Sequence, residues 1–173
     1  QMVSNALHND NSVIIMSMLP CNFKLFPKSD AHYGHNIIMA EYEAFDVYGM
    51  YLPHKKKHQL FDLLLHEASV ATKPLIYCGD MNTGINGIDQ KGNSFWYTDE
   101  LIELNQHGLQ DAFRYKYGQV KEYSWYSHQK NGYRYDHTYV HEDLLPIISD
   151  CAYLHDYRER GLSDHSPMLL SMG

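Results

Sequence analysis

The stretch Ile76-Tyr77-Cys78-Gly79-Asp80-Met81-Asn82 decides the fold prediction, because an apolar run passes directly into a short polar segment. Residues 75–78 are predicted to form a short buried strand. Asp80 and Asn82 follow it two residues apart, and in extended backbone such side chains point to the same side. A carboxylate there can accept a proton from a water molecule that the amide orients. The same spacing also fits an Asx turn, so the motif alone leaves both alternatives open.

Two later segments share this character, namely Gly132-Tyr133-Arg134-Tyr135-Asp136 and Gly161-Leu162-Ser163-Asp164-His165-Ser166-Pro167. Each places a carboxylate or an imidazole beside a predicted strand. If the three segments converge, they form an oxygen-rich pocket suited to a hard cation and a phosphate. Taken singly, each has a structural alternative: Arg134 with Asp136 fits a cross-strand ion pair, and Asp164 with His165 fits a cap at the start of a strand.

The composition is that of one globular domain, residues 1–173, with 44% hydrophobic and 20% charged residues. A formal net charge of −7 argues against a protein that binds nucleic acid through its overall charge, but it is compatible with a local rim of basic residues. No apolar run approaches the length of a membrane span, so no membrane partner is expected. The three cysteines are far apart, which favours neither a disulfide framework nor a thiolate metal site and predicts a cytoplasmic setting.

Hydrophobic patterning predicts an α/β fold, a two-layered mixed β-sandwich flanked by helices. One helix is predicted over 58–71, where Phe61, Leu64, Leu65 and Ala68 recur at helical spacing. A second is predicted to begin at Thr98 and to end before Gly108. Strands are predicted at 12–18, 35–42, 44–52, 75–78, 123–127, 134–141, 147–153 and 167–172, with the second and third forming a hairpin.

The order of four motifs resembles the endonuclease/exonuclease/phosphatase superfamily, and most closely the exonuclease III-type abasic-site (AP) endonucleases. The motifs are Tyr-x-Pro at 51–53, Gly-Asp-x-Asn at 79–82, Gly-x-Arg-x-Asp at 132–136 and Ser-Asp-His-x-Pro at 163–167. The resemblance runs from about Ser12 to the C-terminus. Leu-Gln-Asp-Ala-Phe-Arg at 109–114, ahead of Tyr-Ser-Trp at 123–125, is similar to the DNA-repair branch. The resemblance implies a DNase I-like four-layer α/β/β/α sandwich.

The resemblance also implies a mechanism in which Mg²⁺, with Mn²⁺ as a substitute, helps water attack a phosphodiester. Asp80 would orient or deprotonate that water, or protonate the leaving group, and would bind the metal with Asp164. Asn82 would position the water or a phosphate oxygen. His165 would bind the phosphate and stabilise its developing charge.

The remaining roles follow from the same resemblance. Asp136 would hold and polarise His165, and Tyr51 would give its hydroxyl to the phosphate or leaving oxygen. A basic run after Tyr51 would lie beside the nucleic-acid backbone, and aromatic side chains would line the abasic-site pocket. The predicted substrate-binding residues are Lys55, Lys56, Lys57, Trp125, Tyr133 and Arg134. On the residues alone, the lysines also fit a solvated helix start, and the aromatics and Tyr51 also fit core packing.

The chain departs from the family pattern in several places. His137 stands where Tyr is usual, Ser166 replaces a common Cys, and Tyr133 stands where Trp is often found. The family's domain opens with strands that carry an Asn and a metal-binding Glu, and neither motif precedes Asp80. The chain is therefore expected to match the C-terminal two-thirds or so of the family's domain, incomplete at its N-terminus.

These features predict a Mg²⁺-dependent phosphodiester hydrolase that acts on DNA, with abasic-site cleavage and 3′–5′ exonuclease action. One alternative is a phosphoesterase of the same superfamily acting on a phospholipid, an inositol phosphate, a nucleotide or RNA, which the acidic composition favours. Another is a truncated, inactive binding module, which the missing Glu favours.

Overall fold

A six-stranded mixed sheet lies at the centre of the computed structural model, which describes residues 1–4, 11–26 and 36–173. The strands are β1 (Met2–Ser4), β2 (Ile14–Met16), β3 (Asn22–Phe26), β4 (Ile37–Glu41), β5 (Asp46–Tyr51), β6 (Leu75–Asp80), β7 (Leu109–Asp111), β8 (Trp125–Tyr126), β9 (Gly132–Tyr133), β10 (Asp136–His141), β11 (Ile148–Tyr153) and β12 (Met168–Met172). The helices are α1 (His58–Val70), α2 (Thr98–Gln106), α3 (Ala112–Tyr117) and α4 (His155–Glu159), with a 3₁₀ turn at Glu142–Ile147.

The central sheet has the order β3-β4-β5-β6-β10-β7, and the register of its middle strands positions the polar motifs. β6 runs parallel to β5, with Tyr51 opposite Asp80. β10 runs antiparallel to β6, with Asp136 opposite Asp80 on its other side. Three residues from distant parts of the sequence therefore form one row across three adjacent strands.

The sheet is buried on both faces, which explains why β6 is apolar without interruption. Tyr77 faces a cluster that includes Phe61 and Leu64 of α1 and Leu101 of α2. Ile76 faces the opposite cluster, built from α3, β10 and β11. β11 and β12 form a separate antiparallel pair, and β1 with β2 and β8 with β9 form two more. The predicted α/β class, with a mixed sheet and flanking helices, is confirmed.

Gly79 is required between the buried strand and Asp80. Its φ is +140°, and a Cβ atom built there would lie 1.9 Å from the main-chain oxygen of Met50. Because that neighbour is the backbone of β5, a side chain at this position would force the strands apart. The glycine keeps β5 and β6 paired up to the point where Tyr51 and Asp80 stand side by side.

Most predicted elements are present with shorter bounds. The predicted strand over 134–141 begins two residues later, at Asp136, since Arg134 and Tyr135 lie between β9 and β10. Residue 35, which opened another predicted strand, lies outside the described residues. Sequence patterning missed β7 and α3. The helix α3 was missed because its buried face is short, with only Ala112 and Phe113 buried. Along the described part of the chain, no helix has the length and apolarity needed to span a membrane.

Candidate active site

His165 and Asp136 form a hydrogen-bonded pair at the edge of the central sheet. His165 Nδ1 lies 2.7 Å from Asp136 Oδ2, although 29 residues separate the two in sequence. The loop that carries the imidazole is fixed because the His165 backbone N–H donates to Ser163 Oγ at 3.1 Å. Burial disfavours the imidazolium, but the hydrogen bond and charge of Asp136 outweigh it and raise the pKa of His165 above its ordinary value. A carboxylate that holds Nδ1 leaves Nε2 available to a substrate.

Asp80 and Asn82 adopt the local turn and also line a cavity. Asp80 Oδ1 accepts a hydrogen bond from the Asn82 backbone N–H at 2.8 Å, and Oδ2 accepts one from Asn82 Nδ2 at 3.2 Å. The Asn82 amide also donates to the Leu52 carbonyl oxygen at 2.9 Å. Burial, reinforced by the charge of nearby Asp136, raises the pKa of Asp80 to about 6. A carboxyl group with a pKa near neutrality is suited to exchanging protons with water.

One cavity of about 550 Å³ collects most of the predicted catalytic side chains. Tyr51, Asp80, Asn82, Asp164 and His165 all line it, together with Asn11, Ser12, His54, Trp125 and Tyr135. The structure thus brings the three distant motifs to one space, as the sequence predicted. The roles assigned to these residues remain predictions.

A second cavity of about 600 Å³ adjoins the first and has mainly aromatic walls. Asn82, His54, Trp125 and Tyr135 line both cavities. Tyr133 and Tyr135 are stacked, with ring centroids 5.3 Å apart and planes within 12°. The loop at 93–97 supplies the opposite wall. Sequence reasoning named Trp125 and Tyr133 but missed this loop and Tyr135, because aromatic residues in loops resemble core residues in the sequence.

The residues present do not fit a resident metal ion by themselves. In the three described ranges, no group of three or more His, Cys, Asp or Glu side chains is arranged to hold one. The two predicted metal ligands are also engaged elsewhere: Asp80 accepts two hydrogen bonds from Asn82, and Asp164 Oδ2 accepts one from Trp125 Nε1 at 3.3 Å. No catalytic step is therefore derived through a metal, and the Mg²⁺ or Mn²⁺ requirement stays a prediction.

Arg134 lines neither of these two cavities, and the structure places it in the interior and not where its predicted role in substrate binding would put it. The side chain is completely buried. Its Nε donates to Asp89 Oδ1 at 2.7 Å, and its Nη2 donates to Asp111 Oδ2 at 2.5 Å. Arg114 also pairs with Asp89. The guanidinium is an internal cross-link between the loop after β6 and the β7 strand, because a buried charge needs opposite charges within hydrogen-bond distance.

The basic run after Tyr51 divides into exposed and buried parts. Lys55 and Lys56 are exposed, and Lys55 Nζ lies 5.2 Å from the centre of the exposed Trp96 ring. Lys57 is completely buried. The structure places its ammonium group in the protein interior, away from the position that its predicted role in substrate binding would need. Lys55 and Lys56 keep the exposure that contact with a phosphate backbone would need.

The internal ion network predicts an acid-sensitive fold. Burial raises the pKa of Asp111, but the charge of Arg134 more than offsets it and holds that pKa well below its usual range. The stability gained from ionised Asp111 is present above the unfolded-state pKa of about 3.9 and is lost as pH falls towards the depressed folded-state value. The free energy of unfolding, measured in urea, should fall steeply between about pH 4 and pH 2. Asp111→Asn should flatten that fall, and an equally steep fall in the variant would contradict the assignment.

Comparison with known proteins agrees with the motifs. No model of a known protein family matches the chain. It is 28% identical over 162 residues to Recombination repair protein 1 of Drosophila melanogaster, covering 78% of this chain and 23% of that protein. It is 32% identical over 114 residues to an Exodeoxyribonuclease of Bacillus subtilis (strain 168), covering 57% of this chain and 44% of that protein. The chain thus spans less than half the length of either curated relative.

Solved structures show the same fold at low sequence identity. An AP endonuclease from Archaeoglobus fulgidus superposes with a TM-score of 0.72 at 20% identity, covering 88% of this chain and 70% of that one. The 3′ phosphatase NExo from Neisseria, bound to a product DNA hairpin, gives a TM-score of 0.73 at 18% identity, again covering 88% and 70%. The chain has the DNase I-like fold of AP endonucleases, and its predicted resemblance to the endonuclease/exonuclease/phosphatase superfamily is confirmed.

Proposed function

We propose that this chain forms the phosphodiester-hydrolysing site of a nuclease of the exonuclease III/AP endonuclease type, acting on DNA. The observation that carries the proposal is one cavity lined by Tyr51, Asp80, Asn82 and His165, with Asp136 hydrogen-bonded to His165. Among the described residues these polar side chains come from four distant segments, and the packing of the fold alone does not require all of them to meet.

The geometry supports a direct division of roles. The Asp80 carboxylate accepts a proton from a water molecule that Asn82 orients, and the water oxygen bonds to phosphorus. His165 Nε2 donates to a non-bridging phosphate oxygen and stabilises its growing charge, while Asp136 keeps the ring in position. The bond from phosphorus to the leaving oxygen breaks, and the Tyr51 hydroxyl supplies a proton to that oxygen.

Two observations support DNA as the substrate. The proteins similar in sequence and fold include an exodeoxyribonuclease, an AP endonuclease and a 3′ phosphatase bound to a DNA hairpin. The aromatic cavity beside the phosphate site offers stacking surfaces to a nucleotide or sugar. Abasic-site cleavage and 3′–5′ exonuclease action are the proposed activities, in the cytoplasm.

A second candidate keeps the chemistry and changes the substrate. The net charge of −7 favours a small or non-DNA phosphoester, such as an inositol phosphate, a nucleotide or a phospholipid headgroup. Exposed Lys55 and Lys56 supply only a short basic rim. The two candidates differ in how strongly added salt weakens binding, since a protein that neutralises several backbone phosphates releases their counterions.

The test is hydrolysis of three substrates by the chain: a duplex with one abasic site, a duplex with a 3′-phosphate, and a nucleoside monophosphate. We expect the duplexes to be cut, with an affinity that falls steeply from about 50 to about 200 mM salt, as it does for proteins that bind the DNA backbone. Preferential cleavage of the nucleotide, independent of salt, would favour the second candidate. DNA binding without cleavage in the presence of Mg²⁺ or Mn²⁺ would indicate an inactive binding module. Unchanged cleavage in EDTA would contradict the metal requirement.

A further inference from the structure

Lys57 is a buried lysine whose ammonium group meets main-chain carbonyls rather than a carboxylate. It lies at the N-terminal end of α1, and its side chain is completely buried. Its Nζ donates to the carbonyl oxygens of Met81 at 2.6 Å and of Asn82 at 2.9 Å. The Tyr97 ring also contacts the ammonium group, with its centre 4.8 Å from Nζ. The charges of Asp80 and Glu100 also act on the ammonium group, but the hydrogen bonds it donates among the described residues go to these two carbonyls.

The two carbonyls belong to the turn that presents Asn82 to the cavity. Asn82 has a φ of +47°, in the left-handed region, which asparagine adopts more readily than most residues because its short side chain can hydrogen-bond locally. Its amide must also point toward Asp80 and Leu52 to make the hydrogen bonds observed there. The turn is thus held by the hydrogen bond from the Asn82 N–H to Asp80 Oδ1 and also by the bonds that Lys57 donates to its two carbonyls.

We propose that Lys57 is a positioning residue that clamps the 81–82 turn, so that Asn82 stays in the left-handed conformation and its side-chain amide keeps its place in the cavity beside Asp80. The expected effect on catalysis rests on the proposed hydrolysis, whereas the holding of the turn by Lys57 does not. Lys57 touches neither cavity, so it acts only through Asn82.

The cost of the burial supports a specific role. An ammonium group removed from water without an opposite charge is strongly disfavoured. Burial lowers the pKa of Lys57 to about 7, so the neutral amine is well populated at neutral pH. A neutral amine keeps two N–H groups, which equals the number of carbonyl oxygens it serves. A methionine would fill the same space without this penalty, so the nitrogen is best explained by the bonds it makes to the turn.

The test compares Lys57→Met with Lys73→Met as a matched control. Lys73 also donates to a main-chain carbonyl, that of Tyr42 at 2.8 Å, but it lies away from both cavities. The first readout needs no substrate: the side-chain amide resonances of Asn82 in ¹H–¹⁵N spectra of the 20.2 kDa chain. We expect Lys57→Met to shift them toward the positions of a solvent-exposed amide, and Lys73→Met to leave them unchanged.

The second readout is kinetic. Because misplacing one group in an active site lowers the rate of the chemical step, Lys57→Met should reduce kcat by roughly 10- to 100-fold. KM should change little, since the substrate does not touch Lys57. A wild-type chain that cleaves nothing would defeat the proposed function, while the amide spectra would still decide the clamp.

Asn82 resonances that are the same in Lys57→Met and in the wild type would overturn the inference, as would an unchanged kcat. If Lys57→Met does not fold, Lys57→Gln replaces it, because the shorter amide keeps N–H donors but lacks the reach to both carbonyls. The same shift of the Asn82 amide resonances is expected. Loss of the entire native spectrum in both variants would assign Lys57 to folding of the domain as a whole and would also overturn the positioning role.

Discussion

Arg134→Met is expected to lower the free energy of unfolding by about 3–5 kcal/mol, because it leaves buried carboxylates without their main counter-charge. Asp89 and Asp111 both accept hydrogen bonds from the Arg134 guanidinium, and all three side chains are buried. Arg114 still reaches Asp89, and His137 Nδ1 still lies 3.5 Å from Asp111 Oδ2, but neither replaces the bonds that the Arg134 guanidinium makes to both carboxylates. Since small domains are stable by about 5–15 kcal/mol, this loss would remove a large share of the total.

The matched control is Arg160→Met. Arg160 pairs with Asp156 at 3.9 Å, and its side chain is 68% exposed. An exposed pair of this kind contributes about 0–1 kcal/mol, so the control should unfold at nearly the wild-type urea concentration. Equal midpoints for Arg134→Met and Arg160→Met would contradict the internal cross-link and reopen a surface role for Arg134.

His165→Ala is expected to reduce the rate of phosphodiester cleavage by about 10²–10⁴, the usual contribution of one acid–base group. The imidazole is the donor that faces the phosphate, and its side chain is 27% exposed, so the fold should tolerate its removal. Asp136→Asn should reduce the rate less, because the ring remains but loses the carboxylate that orients it. Initial rates on the abasic-site duplex, together with thermal melting, measure both effects.

His141→Ala is the control for this prediction. His141 Nδ1 lies 3.3 Å from Asp143 Oδ2, which makes a similar His–Asp pair that lines neither of the two site cavities. Its replacement should leave the rate within about twofold of wild type, since surface substitutions of this kind usually change little. A His165→Ala variant that unfolds while retaining activity in its folded fraction would show that the imidazole is structural.

The sequence predicted the site because its key residues stand next to strong strand signals. The apolar run before Asp80 places it just after a predicted strand, and Asp136 lies near the start of the strand predicted over 134–141. Pairing of β6 with β10 then brings the two residues opposite each other. Hydrophobic patterning also found α1, whose buried Leu60, Phe61 and Leu64 follow helical spacing.

The same patterning could not separate buried from exposed charges. Arg134 and Lys57 look like surface residues in the sequence, since charged side chains are rarely buried completely. Their partners are Asp89 and Asp111 for the arginine and two main-chain carbonyls for the lysine, and none of these is near in sequence. Only the folded arrangement shows that carboxylates neutralise the charge of Arg134 and that Lys57 donates hydrogen bonds to the carbonyls of a turn.

The most direct test of the central claim is a crystal structure of the chain with a short DNA duplex ending in a 3′-phosphate. The phosphate should lie in the cavity between His165 and Asp80, within hydrogen-bond distance of His165 Nε2 and of the Asn82 amide, with its sugar directed toward Trp125. A phosphate bound at another surface, with none in contact with His165, would contradict the account.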